Sequence, residues 1–269
     1  MSATIYQVDA FCADGFLGNP AGVCVLNTPW PEQQWMRDVA AKMNLSETAF
    51  LRPGPPKGEY SLRWLTPKAE VKLCGHATLA SAHVLWERAF LEKGTSVRFE
   101  TQSGSLLAHK ENELIILDFP AKPSVKAEPV PGLLHALGVS AVYVERSEFD
   151  YLVEVESAKT LRNLKPDFQR LGKLPVRGVI VTAPSDDKRF DFMSRFFAPA
   201  VGVDEDPVTG SAHCTLTPYW AAKLGKTSMM ACQVSQRGGV LNLELRGDRV
   251  QLGGRAQTVG DFRFELSKR

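Results

Sequence analysis

Alternation of apolar and polar residues in Ile5-Tyr6-Gln7-Val8-Asp9-Ala10-Phe11 and Ser61-Leu62-Arg63-Trp64-Leu65 predicts half-buried strands, and similar runs mark strands at 95–100, 104–109 and 113–119. A helix is predicted at about 31–43, opened by Pro31-Glu32, and another at about 76–90 after Gly75. The second differs in kind. From His76 to Leu85 it carries no formal charge, so no face suits water until Glu87-Arg88, and such a helix must be surrounded by other elements. The segment from Pro120 to Gly132 holds four prolines and almost no large apolar residue, which marks a linker and a domain boundary. Beyond it, strands are predicted near 150–156, 178–183, 190–197, 230–236, 240–246, 248–253 and 257–265, with helices near 131–137 and 159–171. Gly210 to Ala222 then repeats the earlier pattern: an uncharged, small-residue helix that follows a glycine.

Two halves, each with many short strands and one uncharged helix, predict an α+β protein of two pseudo-symmetric domains. Each is a curled, mostly antiparallel sheet around a central buried helix. The domains are 1–120 and 121–269, with the last strand free to return to the first. The helix N-termini carry unpaired N–H groups and partial positive charge, and opposed across a cleft they would hold a carboxylate without arginine or metal.

Charge and composition narrow the partners. Thirty-two Lys+Arg against 30 Asp+Glu leave a net charge of +2, so no global field recruits nucleic acid or an anionic membrane. The longest uncharged stretches, Leu73 to Trp86 and Val208 to Ala222, fall short of a bilayer span. The start, Met1-Ser2-Ala3-Thr4-Ile5-Tyr6, lacks the basic and apolar regions of a signal peptide, so a cytoplasmic protein is expected. Cys12, Cys24, Cys74, Cys214 and Cys232 are odd in number and form no C-x-x-C pair, so neither a disulfide framework nor structural zinc is expected.

Three places can carry chemistry. In Asn44-Leu45-Ser46-Glu47-Thr48-Ala49-Phe50-Leu51, read as a strand, period two sets Glu47 on one face with Leu45, Ala49 and Leu51. A carboxylate among apolar residues finds a partner or becomes a proton carrier near neutral pH; if Ser46, Thr48 and Phe50 point inward instead, Glu47 is solvated. Cys74-Gly75-His76 sits at the start of the first buried helix, where a neutral imidazole is favoured over imidazolium. Residues two apart on a helix diverge, which argues against a Cys-His nucleophile. A lone His there also reads simply as a core residue. Asp204-Glu205-Asp206-Pro207-Val208-Thr209-Gly210-Ser211 introduces the second buried helix, either as a capped polar turn or as part of a site. Adjacent side chains cannot converge on one ion, and Ser211 with His213 lacks a hydrolase motif. With no G-x-G-x-x-G, P-loop or zinc spacing, no cofactor and no metal are expected. One Glu, one His, one Asp and two helix N-termini suit proton transfer beside an anionic group.

At these residues the sequence resembles the PhzF-like family, the phenazine biosynthesis-like isomerases with a diaminopimelate epimerase-like fold. The likeness runs through Asp9-Ala10-Phe11, Gly18-Asn19-Pro20-Ala21-Gly22-Val23, Leu45 to Phe50, Trp64-Leu65-Thr66-Pro67, Cys74 to Ala80, Phe197-Ala198-Pro199 and Asp206 to His213. The resemblance implies two similar sheet-around-helix domains with the active site between them. It implies that Glu47 is the general acid/base, that His76, Asp206 and Ser211 position a small carboxylate-bearing substrate, and that the backbone of Gly75-His76 and Gly210-Ser211 binds its carboxylate. It implies no cofactor, and homodimers are common among members; phenazine-pathway members act on a dihydro-hydroxyanthranilate. Diaminopimelate epimerases oppose two cysteines; here Cys74 matches the first, while no cysteine stands near Pro207 to Gly210 for the second. A single-carboxylate isomerase is the expected activity, with an amino-acid epimerase or racemase and a non-catalytic ligand- or protein-binding member of the fold as alternatives.

Overall fold

The computed structural model describes residues 2–265. The chain forms two compact units, one of Met1–Phe119 with Gly253–Arg269 and one of Pro120–Leu252.

In the first unit, β1 (Ser2–Cys12), β2 (Asn19–Val25), β3 (Glu47–Pro53) and β4 (Glu59–Leu65) are joined through α1 (Gln33–Met43). The short β5 (Glu70–Val71), α2 (Gly75–Glu87), β6 (Val97–Thr101), β7 (Gly104–Glu111) and β8 (Leu114–Pro120) follow. The sheet order is β1-β2-β3-β4-β6-β7-β8, with β5 on β4. Pairs β2–β3 and β4–β6 are parallel; β1–β2, β3–β4, β6–β7 and β7–β8 are antiparallel. Sequence patterning passes over β2, because Pro20 and Gly22 weaken its strand signature. Gly22 is there for space: a Cβ would lie 2.9 Å from Thr48 Oγ1.

Helix α2 is the buried element that its lack of charge predicts. Every residue from Gly75 to Trp86 except His83 is buried, against β1, β2, β3 and β7. Its hydroxyls are satisfied along the helix, Thr78 donating to the Cys74 carbonyl (2.6 Å) and Ser81 to that of Ala77 (2.7 Å). On the other side of β3, Met36, Val39 and Ala40 of α1 pack with Phe50, Ile5 and Leu65. Strand β3 is therefore covered on both faces, and Thr48, Ala49, Phe50 and Leu51 are all buried. It also starts later than the pattern suggests. Asn44 closes α1 in the left-handed conformation (φ 50°), which leaves Glu47 as the first strand residue.

The second unit carries β9 (Val125–Lys126), α3 (Leu133–Leu137), β10 (Tyr143–Arg146), β11 (Asp150–Glu154), α4 (Ala158–Arg162), α5 (Phe168–Leu171), β12 (Gly178–Pro184) and β13 (Phe192–Phe197). After a 3₁₀ turn at Pro199–Val201 come α6 (Gly210–Leu224), β14 (Ser228–Gln233), β15 (Gly239–Arg246) and β16 (Arg249–Glu265). The order β15-β14-β13-β12-β11-β10-β9 has two parallel pairs, β11–β12 and β13–β14. Helix α6 packs on β14 and β15. Its interior Pro218 has no N–H for the Cys214 carbonyl, and the backbone N–H of Lys122 donates to that carbonyl instead (2.9 Å).

Three readings of the pattern are corrected. The proline-rich segment is not purely a linker, since Val125 and Lys126 pair with Arg146 and Glu145 at the sheet edge. The helix expected over 159–171 is two short helices, capped by Ser157 and Asp167, because Pro166 interrupts the hydrogen-bond ladder. The strands expected at 248–253 and 257–265 are one, β16, whose C-terminal part pairs antiparallel with β1. Gly254 does not break it; a Cβ there would lie 2.3 Å from the Phe11 ring, so the glycine permits close approach. Among the described residues, no helix is long and apolar enough to cross a membrane.

Candidate active site

In the first unit, the start of β3 and the start of α2 bring Glu47 and His76 together. Glu47 Oε2 lies 3.2 Å from His76 Nε2, with the side chains 17% and 5% exposed. The other ring nitrogen, Nδ1, lies 3.1 Å from the Asn19 side-chain amide, whose oxygen accepts from Ser46 Oγ at 3.4 Å. Asn19 is fully buried at the head of β2, so it fixes the ring plane that points Nε2 at Glu47. Its amide can offer oxygen to an imidazolium or nitrogen to a neutral ring.

Two expectations are overturned here. Cys74 and His76 do not diverge, because Cys74 is the N-cap and extended (φ −147°) rather than helical, and its Sγ sits 3.5 Å from His76 Nδ1. Nor does the helix terminus keep His76 easily neutral. Burial alone would depress its pKa, but Cys74 and the Glu47 carboxylate beside it prevail and hold it well above the usual histidine value. Burial and the Glu47 charge push the Cys74 thiol up to about 11, which works against a thiolate nucleophile. No side chain caps α2, so the amides of Gly75 and His76 lie at an uncapped N-terminus.

In the second unit, the three adjacent acids part company. Asp204 is exposed, and Glu205 forms a two-bond pair with Arg195 (2.7 and 2.8 Å). Asp206 accepts from Thr209 Oγ1 at 2.5 Å. Gln233, fully buried, fastens this turn: it donates to the Asp206 carbonyl (2.7 Å) and accepts from the Thr209 N–H (2.9 Å). Thr209 is the N-cap of α6, so Asp206, Gly210 and Ser211 share its N-terminus. Arg177 stands beside them. It pairs with Asp150, 2% exposed, and its guanidinium lies 3.5 Å from Ser211 Oγ and over the Phe149 ring at 5.1 Å. Asn19, Gln233 and Arg177 escape sequence reasoning because their partners lie 57, 24 and 27 residues away. Only the position of Asn19 beside Pro20 and Gly22 hints at a constrained site.

A family model described as phenazine biosynthesis-like protein, PhzC-PhzF, matches residues 8–261. The chain belongs to this phenazine biosynthesis-like family. It is 52% identical over 267 residues, 99% of each chain, to a Halalkalibacterium halodurans protein named an uncharacterized isomerase. It is 42% identical to mouse phenazine biosynthesis-like domain-containing protein 2, over 96% of this chain and 98% of that one. The crystal structure of a PhzF-family phenazine biosynthesis protein from Enterococcus faecalis superposes with a TM-score of 0.92 at 40% identity, covering 98% of this chain and all of that one.

Proposed function

We propose that this phenazine biosynthesis-like protein is a cofactor-independent isomerase that moves a proton on a small carboxylate-bearing substrate, with Glu47 as general acid/base. The observation that carries the reading is the contact of Glu47 with His76: a largely buried carboxylate held by a ring whose far side is anchored by Asn19. Names of relatives support the class, since the 52% identical protein is called an isomerase. Glu47 takes a proton from one substrate carbon and returns it to another, while the adjacent imidazole offsets the charge as it changes. In the first unit the uncapped amides of Gly75 and His76 supply groups for the carboxylate; in the second unit Asp206, Gly210 and Ser211 gather polar groups at the start of α6. In this reading the two units are a pseudo-symmetric pair divided near residue 120, and the protein is a cytoplasmic homodimer that needs no nucleic acid or membrane.

The test is proton NMR in D₂O of the purified protein with unsaturated, cyclic and amino carboxylates, a dihydro-hydroxyanthranilate among them. Product formation, or loss of a carbon-bound proton, is expected for one class of compound. Binding without either would transfer the site to a non-catalytic role.

The Cys74–His76 contact gives the epimerase reading a specific foothold, and the two are separable. With Glu47 as the base, Cys74→Ala retains the larger part of turnover, whereas loss of all exchange on this substitution or on thiol alkylation would establish thiol chemistry. The anchoring of His76 gives a second expectation. Asn19→Leu keeps the volume and removes both hydrogen bonds, which should lower kcat by roughly 10- to 100-fold, as loss of orienting partners does elsewhere. The pH profile should shift with it, while Asn19→Asp restores part of the rate. An unchanged profile would reduce Asn19 to a packing role.

A further inference from the structure

We infer that Glu47, Cys74 and His76 also form a binding site for a borderline divalent cation, Zn²⁺ by chemistry, whose occupancy removes Glu47 from proton transfer. Among the described residues, these three have one ligand atom each within 4.8 Å of one another. Zinc bonds of ~2.0 Å to nitrogen or oxygen and ~2.3 Å to sulfur set donor separations of roughly 3.2–3.8 Å in a tetrahedral site. Glu47 Oε2 to His76 Nε2 is 3.2 Å and Cys74 Sγ to Nε2 is 3.9 Å, while sulfur and carboxylate oxygen lie within 4.8 Å. Two of the three separations are already close to a tetrahedral site, and the sulfur is the donor that has to close in.

The donor set selects the ion. One thiolate, one imidazole and one carboxylate suit zinc, whereas magnesium and calcium require oxygen throughout. Two further features point to a ligand. Glu47 Oε2 is buried without a well-formed hydrogen bond despite its approach to His76, so the atom has capacity that the fold leaves unused. Asn19 already orients the His76 ring through Nδ1, and with its amide turned to present oxygen it accepts from Nδ1–H, the supporting contact a histidine bound to metal through Nε2 requires. Binding displaces the thiol proton and the Nε2 proton to solvent. Thiolate and carboxylate together then neutralise the ion's two charges, so the occupied site adds no net charge to a buried position. The three protein ligands leave a fourth position open for water.

The effect on catalysis rests on the role of Glu47 proposed above; the binding does not, and the experiment reads binding alone. Purified protein, freed of metal by a chelator, is titrated with Co²⁺ and then Zn²⁺. One equivalent of Co²⁺ should give a thiolate-to-cobalt charge-transfer band in the near ultraviolet, which Zn²⁺ abolishes by displacement. Cys74→Ser should lose the band and His76→Gln should weaken binding at least 100-fold, while Cys12→Ser retains both. X-ray absorption of the zinc-loaded wild type should show one sulfur neighbour and otherwise nitrogen or oxygen, a reading that needs no variant to fold. Absence of stoichiometric binding, a band that persists in Cys74→Ser, or a zinc shell without sulfur would each overturn the site. Failure to find any isomerase substrate would leave these outcomes unchanged.

Discussion

Glu47→Gln should leave the protein folded and lower turnover by about 10²- to 10⁴-fold, the range that a positioned acid/base contributes. The substitution keeps the volume and can keep an oxygen near His76 Nε2, where the carboxylate now lies at 3.2 Å. What it removes is the ability to accept a proton from carbon. Below pH 6.5 some stability should be lost, because the carboxylate is one of the groups whose support of the raised His76 pKa contributes there. A second readout separates chemistry from structure. Without the carboxylate, one of the two groups that hold the His76 pKa up is gone, so burial gains weight and the ring should titrate lower than in the wild type. Deuterium incorporation at the substrate carbon and the His76 ring resonances, followed in one set of NMR samples, report both. Exchange at the wild-type rate in a Glu47→Gln protein would remove Glu47 from the mechanism, whatever the histidine does.

The parts of this molecule that sequence makes legible are those whose signal is local. The charge-free runs at Gly75 to Trp86 and Gly210 to Thr217 announce buried helices because any charge there would lack water, and almost all their residues are buried. Glu47 is legible as a candidate for a related reason, a carboxylate in an apolar strand, yet its face could not be chosen. Period two fails as a guide when α1 covers one side of β3 and α2 the other, as the burial of both Ala49 and Phe50 shows. Glycine and proline mislead in opposite directions. Gly254 looks like a break and is a close approach, whereas Pro166 is overlooked and does end a helix. The Cys74–His76 contact depends on one backbone conformation, the extended N-cap, that spacing rules cannot supply. Asn19 and Gln233 lie further from view still, because the groups they orient are distant in the chain and each acts through a single amide.

Acid should loosen α6 before α2, and His213 gives the sign. The residue is fully buried, its Nδ1–H donating to the Thr209 carbonyl at 2.8 Å and its Nε2 3.4 Å from Ser194 Oγ, with the Phe192 ring stacked at 6.1 Å. Burial lowers its pKa from 6.5 to about 4, and the Thr209 hydrogen bond opposes the shift only in part. Between those values the unfolded chain binds a proton that the folded one refuses. The contribution of His213 is therefore fully present above pH 6.5 and is lost progressively as the pH falls to about 4, a loss of roughly 3 kcal/mol at 1.36 kcal/mol per unit. His76 works in the opposite sense: its raised pKa supplies stability below 6.5 that fades as the pH rises through its folded value. Hydrogen exchange read by mass spectrometry, corrected for the intrinsic pH dependence of amide exchange, separates the two helices. In the wild type, protection of α6 peptides should fall between pH 6.5 and 4.5 relative to α2. In His213→Gln, whose amide can still donate to Thr209 but does not titrate, most of that fall should disappear. Equal slopes in the two proteins would mean that another group sets the acid limit of this unit. Because Gly210 and Ser211 open the same helix, the acid limb of activity should shift in parallel if these residues hold the substrate.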